Sequence, residues 1–434
     1  MRFATTPRTA RRAVRTVVLA TAAGLVLMAP AWGVSRHPGW LDPSFHGTGR
    51  VTVQAGDPDS EATGVERQGP KIIVAGGMRA GSAGDISVIR LRADGRLDRT
   101  FAGGDGIYTK DVFGNADIAR AVHVLPDGKV LVAGSAFKPT ANGDRFVVIR
   151  LTPDGRLDRT FGGGDGLVTA GLAGFSSEGF AMTLRPDGVF VVCGSATDDV
   201  TGDSSFELAR FRPGGKLDPG FGSGGFVRAP IPGYQDATCK AVTGTGNGTV
   251  AVGSASNGAS SVIAAARFAP GGGPDATFNK DGFAVFSPQS SSQGTSVVDL
   301  PHGKVVIAGW GTDGGPADVD LLQLSKNGRR DPAFGGGDGL VIDDIGSADQ
   351  ATALIRLPDG RLVVSGFKNP DMFVAAYRPG GKRDRTFGHL GVQAKPWASS
   401  SIASSLVLMT GKVVVAGTAA VGAHDRFAVQ RVFA

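Results

Sequence analysis

Leu157-Asp158-Arg159-Thr160-Phe161-Gly162-Gly163-Gly164-Asp165-Gly166-Leu167 decides how this chain folds, because the chain repeats it. Its Asp recurs at Asp42, Asp98, Asp158, Asp218, Asp275, Asp331 and Asp384. Three residues after each stands a Phe: Phe45, Phe101, Phe161, Phe221, Phe278, Phe334 and Phe387. Successive copies lie about 53–60 residues apart, the length of one small supersecondary unit.

A second pattern fills the space between copies. In one repeat it reads Ala121-Val122-His123-Val124-Leu125-Pro126-Asp127-Gly128, then Lys129-Val130-Leu131-Val132-Ala133-Gly134, and after a variable loop Phe146-Val147-Val148-Ile149-Arg150-Leu151. Each apolar run is short, rich in Val and Ile and bounded by Gly, Pro or Asp, which is strand chemistry. Pro-Asp-Gly makes turns: Pro presets φ, Asp bonds its own backbone and Gly takes positive φ. No 3.6-residue period is sustained after Ala31.

Each repeat therefore predicts four strands: a around Val122, b at 130–133, c at 146–151 and d at 166–169. Four-stranded units repeated radially make a β-propeller, where neighbours cover both faces of a strand. The two ends are out of phase. The chain after its leader starts with a d element, 41–53, and finishes with a c element, 427–433. The expected fold is all-β, a seven-bladed β-propeller of four-stranded blades. Its N-terminal strand would complete the last blade and close the ring without an unpaired edge. An open solenoid would need capping repeats, and neither end shows one.

The pattern Leu-Asp-x-x-Phe-Gly-x-Gly-Gly, with Pro-Asp-Gly turns and a Val-Ala-Gly strand, resembles the delta-60 repeat family of bacterial β-propellers. The likeness spans Leu41 to Phe433. Pro274 and Arg330 replace the leading Leu, and Asn279-Lys280-Asp281 replaces one Gly run. The resemblance implies fold and export, and lends no catalytic residues.

Composition agrees with many tight turns: 68 glycines in 434 residues, 41% hydrophobic and 7% aromatic residues. Glycine at every third position, as collagen requires, is absent. The formal charge of +6 owes five of its units to Arg2, Arg8, Arg11, Arg12 and Arg15. Without them it is about +1, too little to steer nucleic acid. Those arginines precede an apolar run from Val17 to Ala29 and the small-residue pattern Ala29-Pro30-Ala31. Residues 1–31 are thus expected to be a signal peptide, by the general secretory or twin-arginine route. A short segment 32–40 and one propeller domain, 41–434, would follow. The run falls short of the ~20 apolar residues of a spanning helix. The expected protein is secreted or envelope-associated, monomeric, without a transmembrane span after cleavage and without nucleic acid as partner.

Function is less legible. The a–b and c–d links should form one face of short turns. The other carries divergent loops, Met78–Asp85, Ala136–Asp144, Thr197–Ser205 and Trp310–Asp318, the usual place for binding. At the start of strand a, the aligned copies read Asp59 and Glu61, Asp117, Glu178, Asp236, Gln293, then Asp349 and Gln350. Converging at a channel mouth, they would suit Ca²⁺ or a glycan, since hard cations prefer oxygen. The plainer alternative is a solvated rim bonding its own loops.

The seven motif aspartates are equivalent positions in a ring, so they cannot converge. Arg90, Arg150, Arg210, Arg267 and Arg431 match them from strand c, but Gln323 and Ala376 stand in the same column. The Asp therefore caps its turn. The Gly-Asp-Gly runs lack the nine-residue period of calcium-binding β-helices, and none ends in a phosphate-loop Lys. The six histidines lack metal-ligand spacing, and there is no Gly-x-Ser-x-Gly elbow. Cys193 ends one strand b and Cys239 begins the next strand a, so they are either a disulfide between adjacent blades or two buried small hydrophobes. These features favour a non-enzymatic extracellular module binding a protein or glycan. The rival is a glycan-directed hydrolase or lyase with an acidic site at the channel mouth.

Overall fold

The computed structural model describes residues 37–434 except 57, 79–83, 139–142, 247 and 347. The expected signal peptide, most of the segment 32–40 and parts of two of the variable loops lie outside the described residues.

Among the described residues every regular element is a strand of an antiparallel sheet, apart from a single 3₁₀ turn at Pro301–Gly303. Unit 1 consists of Ser60–Gln68, Lys71–Met78, Ile86–Leu91 and Ile107–Lys110. Unit 2 is Asp117–Val124, Val130–Phe137, Asp144–Leu151 and Leu167–Ala170. Units 3 and 4 are Phe175–Leu184, Phe190–Asp198, Ser204–Phe211, Phe226–Ala229 and Asp236–Thr245, Gly248–Ser256, Ser261–Phe268, Phe283–Phe286. Units 5 and 6 are Ser291–Leu300, Lys304–Thr312, Asp318–Leu324, Leu340–Asp343 and Asp349–Arg356, Leu362–Lys368, Asp371–Tyr377, Val392–Ala394. The last set, Ser401–Met409, Lys412–Val421 and His424–Phe433, takes Arg50–Val53 as its outer strand, with Arg50 opposite Gln430 and Val53 opposite Phe427. Units 1 and 2 share one eight-stranded sheet through a single pair, Gly77 opposite Ile118. The order a to d holds throughout, as expected. Strands b and c extend further than the apolar runs, so Thr197 and Trp310 lie within strands rather than loops.

Strand a carries a bulge at the same place in all seven units, for example between Ala62 and Gly64 and between Ala119 and Ala121. Opposite it stands the Gly of Val-Ala-Gly. A Cβ at Gly76, Gly134 or Gly194 would overlap a strand-a carbonyl, so only glycine fits.

The c–d link is longer than a short turn. In unit 2 it runs from Thr152 to Gly166 and contains both Pro-Asp-Gly and the repeated motif. The motif Phe is a wedge between units. Phe161 is fully buried and packs beneath Gly215 of unit 3, where an added Cβ would come within 2.7 Å of its ring. Beside it the Gly162 N–H donates to the Gly214 carbonyl at 3.1 Å. The same bond recurs from Ala102 to Asp154, Gly222 to Gly271, Asn279 to Asn327 and Gly335 to Gly380. It also runs from His46 to Asp94 and from Gly388 to Pro38.

Each motif Asp caps its own turn. Its Oδ1 accepts the backbone N–H two residues on, as in Asp42–Ser44 at 3.0 Å and Asp158–Thr160 at 3.0 Å. Its Oδ2 meets the strand-c arginine, Arg150–Asp158 at 2.7 Å and Arg210–Asp218 at 2.9 Å. Where Gln323 replaces the Arg, its Nε2 donates to Asp331 at 2.8 Å; where Ala376 does, Arg361 lies 3.6 Å from Asp384. The turn cap is common to all seven, and the ion pair is an addition. Arg150 also covers the Phe161 ring, with Cζ 4.6 Å from its centroid.

Candidate functional site

One cavity of about 400 Å³ is lined by strand-a residues of every unit. The bulge explains who faces it. The extra residue in each strand, Thr63, Arg120, Phe180, Lys240, Thr295, Thr352 and Ser404, turns toward this channel. Thr63, Thr295 and Thr352 use their hydroxyls locally, donating to Ala119, Ala351 and Ala403 carbonyls of the next unit at 2.7–2.8 Å.

The other bulge residues are chemically distinct. Lys240 Nζ sits 3.5 Å from the centroid of the Phe180 ring, and Arg120 Cζ lies 5.7 Å from the same centroid. Arg120 pairs with Glu61 at 3.2 Å. Lys240 has no ion pair with a described residue. Burial, then the charge of Arg120, push its amine down to about 8, against an opposing pull from Glu178. His123 is not free to act as a base: Nδ1 lies 3.5 Å from Glu66, and Nε2 lies 3.0 Å from the Met182 carbonyl.

The eight residues expected at the channel mouth do not form one ring. They occupy three successive columns of strand a, and the pleat sends neighbours to opposite sides. Asp117 and Asp349 belong to a column that is buried in every unit, with Ser60, Ser177, Ala237, Ser292 and Ser401. Asp117 accepts the Val112 N–H at 2.6 Å and Asp349 the Ile345 N–H at 2.8 Å. Burial, reinforced by Asp111 and Asp85, pushes Asp117 up to about 6. Asp59 and Asp236 precede that column and bond loops: Asp59 accepts the Asp425 N–H at 3.0 Å, and Asp236 the Ser204 N–H at 3.3 Å. Only Glu61, Glu178, Gln293 and Gln350 share the column that faces away from the buried side.

Sequence reading missed the bulge column. Its trace was present in the invariable Gly opposite, but a bulge is set by strand pairing, and its residue type varies: Thr in three units and Arg, Phe, Lys or Ser in the others. A second unexpected feature is an acid pair. Burial, then Glu178, push Asp144 up to about 6, with Glu178 in hydrogen-bonding reach. Cys193 and Cys239 are joined in a disulfide, Cα–Cα 5.9 Å, which ties unit 3 to unit 4.

Residues 71–101, 125–161, 185–221 and 300–334 each match the family described as "Domain of unknown function (DUF5122) beta-propeller". The chain is built of β-propeller repeats. No curated protein sequence matches it. Among solved structures, Drosophila Semaphorin 2a is 9% identical, with a TM-score of 0.50 over 89% of this chain and 75% of that one. The polysaccharide lyase Uly1 is 10% identical, TM-score 0.47, over 86% and 89%. Trypanosoma rangeli sialidase is 10% identical, TM-score 0.43, over 90% and 59%. At 9% identity the likeness to Semaphorin 2a speaks to the all-β propeller fold alone. Among the described residues no helix is long and apolar enough to cross a membrane.

Proposed function

We propose that this chain is an exported, seven-bladed β-propeller of delta-60 type that binds an acidic extracellular ligand in its central channel without transforming it. Ring closure is supported by the seven-fold series of inter-unit bonds, in which Pro38 and Gly39 stand in for the missing Pro-Asp-Gly turn. The observation that carries the binding reading is the Arg120–Phe180–Lys240 group. Two cations flank one ring, and one of them lacks an ion-paired acid among the described residues, in a setting that disfavours its charge. A ligand carboxylate or sulfate would supply that partner by a charge-assisted bond. The channel volume of about 400 Å³ is within the range of small-ligand sites, enough for an acidic sugar at the end of a glycan.

A glycosidase reading would look to Asp144 and Glu178. Carboxyls in hydrogen-bonding reach stand closer than the ~5–9 Å that glycosidases need between theirs. The test is calorimetry of the full chain with uronate-containing, sulfated and neutral oligosaccharides, beside a turnover assay on the same sugars. Acidic sugars should bind, and Lys240→Met should weaken them by about tenfold or more. Equal binding of neutral sugars, or turnover of any sugar, would overturn the reading.

A further inference from the structure

The junction of units 5 and 6 holds a second concentration of charge, remote from the Lys240 group in sequence and composed of acids. Asp318 opens strand c of unit 5, Asp344 follows its strand d, and Asp349 opens strand a of unit 6. One carboxylate oxygen from each lies within 4.8 Å of the other two, the one such grouping among the described residues. Asp349 is fully buried. Its Oδ2 accepts the Ile345 N–H at 2.8 Å, while Oδ1 is buried without a hydrogen-bond partner among the described residues. A buried carboxylate oxygen left unsatisfied costs free energy that a protein seldom carries without a reason.

We propose that Asp318, Asp344 and Asp349 hold one Ca²⁺ ion at this junction. The charge count favours it. The ammonium at hand is Lys368, whose Nζ is bonded to the Ile345 carbonyl. Arg383, which donates to the Asp344 carbonyl, is neutralised by its pair with Asp343, so three carboxylates against one ammonium leave two negative charges, to which nearby Asp313 adds; a divalent cation offsets that excess. All donors are oxygens, so the site suits a hard cation and not zinc. Ca²⁺ fits better than Mg²⁺, because three carboxylates from three separate segments offer irregular geometry, which Ca²⁺ tolerates and Mg²⁺ does not. The ion would join the end of one unit to the start of the next, beside the Arg383–Asp343 ion pair and the Tyr377–Asp343 hydrogen bond that also cross there.

The same design recurs in outline between units 1 and 2. Asp85, Asp111 and Asp117 occupy the three equivalent positions, and Asp117 Oδ1 is likewise buried without a hydrogen-bond partner among the described residues. Those acids do not converge as closely, so the tight site belongs to the unit 5–6 junction.

The experiment is calorimetric titration of the full chain, dialysed against EDTA, with CaCl₂ and in parallel with MgCl₂. Thermal unfolding is recorded with and without about 1 mM calcium, the range typical of extracellular sites. One calcium per chain and a raised Tm are expected, with magnesium weaker. Asp318→Asn and Asp344→Asn, both at solvent-reachable positions, should weaken calcium by about tenfold or more through lost ligand charge. The exposed turn residue Asp105, changed to Asn, should leave it unaltered. No calcium heat and no Tm shift in the wild type would overturn the proposal, as would unchanged affinity in both variants.

Discussion

Removing the motif Phe at the first junction and at an internal one tests the ring directly. Phe161 and Phe45 are both fully buried, each beneath a Gly of the following unit and each covered by an Arg, at 4.6 and 4.8 Å from Cζ to ring centroid. Phe161 joins units 2 and 3. Phe45 joins the N-terminal segment, whose strand pairs with 424–433, to Gly95 of unit 1. Truncating a buried Phe to Ala costs about 3–5 kcal/mol, transfer and cavity together. With about 2.1 cal/mol/K per residue over roughly 400 residues, that is a fall of about 4–6 °C in Tm. Differential scanning calorimetry and urea unfolding of Phe45→Ala and Phe161→Ala should therefore give the same loss. In an open array the first wedge would hold a fraying end and cost little. A loss below about 1 kcal/mol for Phe45→Ala beside a full loss for Phe161→Ala would refute the closed ring.

Acid should unfold the chain through the motif aspartates. Burial works to raise Asp42, but Lys412, Ser44 and Arg431 outweigh it and hold it down from 3.8 to about 2. Asp98, Asp158, Asp218, Asp275 and Asp331 move the same way. Folded values below unfolded ones mean stability that is full above about pH 4 and lost as pH falls toward about 2, so Tm should drop across that window. Burial raises Asp117, Asp144 and Asp320 to about 6 and Glu207 to about 7, the opposite sign. Their contribution is full below about pH 4 and lost as pH rises to about 7, so calcium-free Tm should also decline there; a Tm flat from pH 4 to 7 would contradict it. Reducing the Cys193–Cys239 bond, whose cysteines are 46 residues apart, should cost about 4 kcal/mol by loop-closure entropy, read as a lower urea midpoint. Equal midpoints for the oxidised and reduced chains would deny it that role. Lys240, with its amine pushed down to about 8, should acylate at pH 8 ahead of the exposed Lys382 in peptide mapping, and equal labelling would count against the cationic channel.

Much of the architecture was readable because the repeat carries its own turns. Pro-Asp-Gly and the Leu-Asp-x-x-Phe motif set local φ/ψ and punctuate short Val- and Ile-rich runs, so four strands per unit follow from neighbouring residues. The structural role of the Asp column was also legible, since Gln323 and Ala376 break the Arg pairing while the Asp persists. The candidate site was not. Asp59, Asp117 and Glu61 stand close when the copies are aligned, yet one residue of offset decides between a loop, a buried junction and the channel side. The bulge adds a further residue to that count and puts Arg120, Phe180 and Lys240 into the channel at positions where three other units carry Thr, so one residue type does not announce the column.

By itself, the sequence determined the unit: its strand order, its turns, its recurrent Asp and Phe and the phase that brings residues 50–53 to the last unit. The strand order and the turns depend on interactions within a few tens of residues and are repeated often enough to be seen, whereas the pairing of 50–53 with 427–430 and the packing of the motif Phe reach across units. Tertiary structure alone decided which polar groups meet. Lys240 and Arg120, or Asp318, Asp344 and Asp349, come from different strands or different units. Their charge and burial depend on packing between units, which no single repeat contains.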